Sequence, residues 1–230
     1  MTRLNRFGMV VFALLSFAAQ PAFCSIMGIS GAIGSLPVPP GSVALNALQS
    51  NTAGVIFQEK SNFSEGSNLS VNATASGTYT LSSQLTGGSI AAGTVFDSFF
   101  MHFDAVSGTQ QYIGSVTFNT AILGVIVTDA SLNNTDTLLG AAGTTYPHNL
   151  TFRGLELGGF QGDAFSISPD KKTISFNFFD STATDEVRVL TAVPKIVGSV
   201  PEPGTWALAV TALIGLALLR RRRVAGQRAF

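Results

Sequence analysis

Thiols are almost missing from this chain of 230 residues: Cys24 is the one cysteine, and it closes an apolar leader. The region after it holds no disulfide and no zinc–cysteine site. Charge is equally sparse, at 11% of residues against 46% hydrophobic, and much of the apolar excess sits at the two ends. Basic residues sit there too, with Arg3 and Arg6 at the front and Arg220, Arg221, Arg222, Arg223 and Arg228 at the back. Between Ser25 and Ser199 six basic residues face twelve acidic ones, a net charge of −6. No basic stripe remains there, which excludes nucleic acid as a partner, because the phosphate backbone is gripped by clusters of Lys and Arg. Trp206 is the single tryptophan and Tyr79, Tyr112 and Tyr146 the only tyrosines, while phenylalanine numbers 18. Phenylalanine fills cores; sugar platforms use exposed Trp or Tyr.

What is present at the front is a secretory leader. Arg3 and Arg6 precede an apolar stretch from Phe7 to Ala19 and the helix breaker Pro21, so residues 1–24 are expected to form a signal helix removed after Ala22 or Cys24 by signal peptidase. An uncleaved anchor is the weaker alternative, since the stretch is short for a span. Phe23 before Cys24 argues against lipid modification of that cysteine.

At the far end, Val200-Pro201-Glu202-Pro203-Gly204 is followed by fifteen uncharged residues, Thr205 to Leu219, and then by four arginines. Fifteen helical residues rise about 22 Å, short of a hydrocarbon core of about 30 Å, so flanking residues must complete a transmembrane helix over 205–219. Trp206 suits the outer interface, and Arg220 to Arg223 belong on the cytoplasmic side. Pro201 fixes its own φ and Pro203 disfavours helix at Glu202, so the motif reads as a stiff extended segment above the membrane, the form that proteases bind. This tail, residues 200–230, resembles the PEP-CTERM sorting signal of Gram-negative bacteria. The resemblance implies Pro201, Glu202 and Pro203 as the motif processed by a membrane exosortase, and Arg220, Arg221, Arg222 and Arg223 as the membrane stop. A plain single-span anchor is the alternative.

Residues 25–199 form the body. Phe99, Met101 and Phe103 alternate with Ser98, Phe100 and His102, and Ile174, Phe176 and Phe178 with Thr173, Ser175 and Asn177, the period of half-buried strands. Further strands are expected at 54–58, 68–72, 78–81, 114–118, 164–168 and 186–191. Residues 122–128 are apolar almost throughout, as in a central strand covered on both faces. Turn-forming clusters such as Thr86-Gly87-Gly88, Asn133-Asn134 and Ser168-Pro169-Asp170 separate these runs, and no amphipathic helix stands out. The expected fold is all-β, an antiparallel sandwich of jelly-roll type. Residues 25–50 read as an irregular arm and 192–199 as a linker. The order of Val55 to Glu59, Asp97 to Asp104, Ile122 to Val127, Leu138 to Gly140 and Asp185 to Leu190 also resembles uncharacterised bodies that precede such tails; no activity comes with that resemblance.

Candidate chemistry is thin. His102 beside Asp104 has the makings of a general base, yet most such histidines are simply hydrogen-bonded. His148 has no nucleophile motif for company. Glu156, Asp163, Asp180, Asp185 and Glu186 offer carboxylates for glycoside hydrolysis, but nothing in their spacing selects a pair. Asp129, Asn133, Asn134 and Asp136 crowd one predicted turn without the spacing of a calcium loop. The Asn-x-Ser/Thr triplets at Asn62, Asn68, Asn72, Asn133 and Asn149 reflect composition. The reading is therefore an exported non-enzymatic surface or extracellular-matrix protein, with no catalytic residue, metal or cofactor expected. A carbohydrate-binding module for exopolysaccharide is the alternative, with hydrolysis behind both.

Overall fold

The computed structural model describes residues 26–148, 150–159, 162–194 and 212–213. The chain divides into two compact units, Met1–Pro194 and Lys195–Phe230. The expected signal helix, the Pro201–Pro203 motif and the arginine stop all lie outside the described residues. Among those described, no helix is long and apolar enough to cross a membrane.

The body is built from β1 (Ile26–Gly31), β2 (Ile33–Ser35), β3 (Gly54–Ser64), β4 (Leu69–Val71), β5 (Gly77–Tyr79), β6 (Gly88–Ile90), β7 (Val95–Phe103), β8 (Gln110–Phe118) and β9 (Ile122–Ile126). One helix, α1 (Asp129–Leu139), precedes β10 (Ala164–Ile167), β11 (Thr173–Asp180) and β12 (Asp185–Ala192). The first sheet has the order β1-β8-β11-β10-β5, the second β2-β3-β7-β12-β9, and β4 with β6 makes a separate ribbon. All these pairings are antiparallel except β2 with β3, which is parallel. The multiple antiparallel sheets and small helix content agree with the all-β expectation.

Alternation along β11 buries Ile174, Phe176 and Phe178 against the second sheet. Phe103 from β7 meets the rings of Tyr112, Phe176 and Phe178 at 5.1–5.2 Å between centroids, and Phe99 meets Phe118 at 5.0 Å. Such pairs add about 0.5–1.5 kcal/mol each beyond the area they bury. This is the inter-sheet core.

The other face of the second sheet is covered as well. Phe57, Phe96, Phe100, Ile126 and Leu190 pack with Leu132 and Leu139 of α1, with Val43 and Tyr146 from loops, and with Leu69, Val71 and Ile90 of the ribbon. Strand β7 is therefore buried on both faces and not half-buried as its alternation predicts. β9, expected to be central, ends the strand order of its sheet, and on its outer side Ala73 bridges Val125; its apolar character comes from coverage above and below. The arm at 25–50 is in part regular, since β1 pairs with β8 and β2 with β3. α1 itself corrects the expectation of a turn at Asn133-Asn134: Thr128 caps it by accepting from the Ser131 N–H, and Asp129 sits in its first turn, where the helix dipole favours an acid.

Candidate functional site

Two polar clusters lie inside this scaffold. The first is a belt of charge sealed between α1 and the second sheet. Strands β3, β7 and β12 place Glu59, His102, Glu186 and Arg188 on the face that α1 covers, and all are buried. Arg188 donates from Nε to Glu59 at 2.6 Å, from Nη2 to Glu59 at 2.8 Å and to Asp136 of α1 at 3.0 Å, and from Nη1 to Thr135 at 2.6 Å. Its guanidinium lies 5.0 Å from the centre of the Phe100 ring. Arg153 bridges Asp136 and Glu186 and also donates to Asn133 at 2.7 Å. His102 Nδ1 lies 3.0 Å from the Glu186 carboxylate. Gly154 follows Arg153 because a Cβ there would sit 2.2 Å from the Val127 carbonyl oxygen. Burial by itself pulls the Arg188 guanidinium down, but Glu59 and Asp136 outweigh it and hold the group above its ordinary value. Each guanidinium is spread over two carboxylates, which is how buried charge becomes tolerable.

The second cluster has no cation to balance it. Asp163 lies just before β10, Asp180 ends β11, Asp185 begins β12, and Glu156 belongs to the segment after α1. Asp163 clips that segment shut: its carboxylate accepts the Glu156 N–H at 2.7 Å and the Phe179 N–H at 2.9 Å. Oxygens of Glu156, Asp163 and Asp185 then fall within 4.8 Å of one another. No ion pair reaches any of them among the described residues. Burial, then the charges of Asp163 and Asp129, push the Glu156 carboxyl up to about 7. Asp180 rises to about 6 through burial, with Asp104 adding to it, against the Ala105 N–H that it accepts. Asp185 is raised well above the usual carboxylate range by burial and by Asp163.

Carboxyls raised in the folded state bind protons more tightly there than in the unfolded chain, where they titrate near 4. Their destabilising charge is absent below about pH 4 and fully developed above about pH 7. In EDTA the urea midpoint is therefore expected to fall between pH 5 and pH 8, with Asp163, Asp129 and Asp104 as the acidic neighbours and the His102 imidazole facing Asp180. A flat or rising profile over that interval would refute this account.

Outside the described body, residues 199–223 match the family model of the PEP-CTERM protein-sorting motif. The chain carries that sorting signal. No curated protein and no solved structure matches it. The PEP-CTERM motif implies exosortase as processing partner and export to the surface or the extracellular space. Pro201, Glu202, Pro203 and Arg220 to Arg223 all fall within the matched span.

The candidate residues ahead of the PEP-CTERM motif are for the most part scattered. His102 pairs with Glu186 and not with Asp104, whose carboxylate instead accepts from Asn46 and Gln49. His148 is exposed. Tyr79 stacks on Phe165 at 4.6 Å, Tyr112 is in the inter-sheet core, and Tyr146 is in the second core, on the opposite face of the sheet. Asp129, Asn133 and Asp136 accept from Phe152 and Gly154 N–H groups or from Arg153, as helix residues with their oxygens already engaged. Glu156, Asp163 and Asp185, three of the five carboxylates whose spacing selected no pair, are the ones that meet.

Proposed function

We propose that the protein is an exported, non-enzymatic component of the cell surface or extracellular matrix, delivered through exosortase processing at Pro201–Pro203. The match to the PEP-CTERM motif over residues 199–223 carries this reading. In it, signal peptidase removes residues 1–24, the body crosses the inner membrane, and the 205–219 segment holds it there transiently until the motif is cut. Support for a structural role comes from the charge belt: its guanidiniums are committed to internal carboxylates. Crossings between sheets from β7 to β8, β8 to β9 and β11 to β12 support a winding of jelly-roll type. The carbohydrate-binding alternative, with exopolysaccharide as partner, loses support because Tyr79, Tyr112 and Tyr146 are all buried. The test is fractionation of the native host: the body is expected in the surface or extracellular fraction with exosortase active and in the inner-membrane fraction when the exosortase gene is deleted. Equal distribution in both strains refutes the reading.

A further inference from the structure

We propose that Glu156, Asp163 and Asp185 form a binding site for one divalent cation of the calcium type, which ties the starts of β10 and β12 to the segment after α1. Three observations meet there. The carboxylate oxygens lie within 4.8 Å of one another, and ligands on opposite sides of a calcium ion are separated by about twice its oxygen distance of roughly 2.4 Å, so all three fit around one centre. Asp185 is 1% exposed, and its Oδ2 has no hydrogen-bond partner, although a buried carboxylate oxygen is costly to leave unsatisfied. Finally, both arginines of the described body are committed to the belt, and among the described residues no ion pair reaches the three carboxylates.

The surroundings suit a hard cation. Asp163 is oriented by two backbone N–H groups, each of which leaves a lone pair on its oxygen free for a metal. A pocket of about 220 Å³ opens on Glu156 and Asp180 and is edged by Ser181 and Thr182, so solvent reaches the cluster on its Glu156 side. With all-oxygen donors and no nitrogen or sulfur ligand among the three, calcium is favoured over zinc or copper. Magnesium demands near-ideal octahedral geometry at about 2.0–2.1 Å and gives up its waters reluctantly, so three carboxylates held by the fold suit the more flexible shell of calcium better.

The test uses the purified protein stripped with EGTA and titrated with calcium chloride alone at pH 7.5, followed by calorimetry and thermal melting. One site is expected, with Kd of about 10⁻⁵ to 10⁻³ M. At about one hundred times Kd the melting temperature should rise by about 5–10 °C for a domain of this size, and by less with magnesium chloride at the same concentration. Asp185→Asn and Glu156→Gln keep the shape, remove charge, and should each melt higher than the parent in EGTA while losing at least ten-fold in calcium affinity. Asp170→Asn, at an exposed turn, should keep the full calcium response. Absence of calorimetric binding at millimolar calcium overturns the proposal, as does an undiminished calcium shift in Asp185→Asn.

Discussion

Replacing Arg188 with methionine is expected to destabilise the body by about 3–5 kcal/mol, because a buried ion pair broken from one side leaves the other charge uncompensated. The side chain is fully buried, and its loss leaves Glu59 with no guanidinium and only hydroxyl donors, Ser98 at 2.7 Å and Tyr146, while Asp136 keeps Arg153 as its guanidinium partner. Against a total stability of about 5–15 kcal/mol this is a large fraction. For about 170 residues it corresponds to a drop in melting temperature of roughly 10 °C or more. Arg188→Lys should recover little, since a point charge cannot bridge Glu59, Thr135 and Asp136 at once. Combining Arg188→Met with Glu59→Gln should restore at least half of the loss, because both charges of the Arg188–Glu59 pair are then gone and Ser98 keeps a partner. Urea denaturation of the four-member cycle measures the coupling. A single-variant loss below about 1 kcal/mol would mean that water reaches the belt.

Arg188 also shows where the sequence stops being legible. The strands around it were readable because alternation is a side-chain property: Ile174, Phe176 and Phe178 identify β11, and the expected run at 186–191 lies within β12. Their second faces were not readable. Ser98, His102, Glu186 and Arg188 look like a wet face, yet α1 covers them. The helix was hidden for the same reason, since its buried stripe is Leu132, Thr135, Asp136 and Leu139, helical in spacing but half polar. Asp136 breaks the apolar period because it serves the two arginines. Its ends were the better clue, with Thr128-Asp129 in front and Gly140 behind. Charges isolated in apolar company, Glu59 after Val55-Ile56-Phe57 and Arg188 before Val189-Leu190, were the other clue. β1 was unreadable for a different cause: it is held by main-chain pairing to β8 with its side chains mostly exposed, so no burial period marks it. The Glu156, Asp163 and Asp185 cluster needs the third dimension outright, since the β10–β11 hairpin separates its members.

In a host with an active exosortase, the exported protein is expected to end near Pro201 to Gly204 and to have lost Trp206 through Phe230. On the proposed route, the arginine stop would halt translocation with Arg220 to Arg223 on the cytoplasmic side. The uncharged run from Thr205 to Leu219, as a helix of about 22 Å, would be too short to reach far beyond the hydrocarbon core and would keep the motif at the outer boundary, within reach of a membrane-embedded protease. Pro201 and Pro203 are expected to keep the motif extended there, because proline fixes its own φ and disfavours helix at the residue before it. Alanine at both positions would let Glu202 continue the helix toward the membrane, and cleavage should slow so that uncut protein accumulates. Neutral residues at all four arginines should instead weaken the stop and give mixed topology. Intact-mass measurement separates these outcomes: truncation at the motif in the parent, retained tail in the double-alanine form. A parent protein that keeps its whole tail beside an active exosortase would make the segment an ordinary anchor, and the proposed delivery of the body to the surface would fall with it.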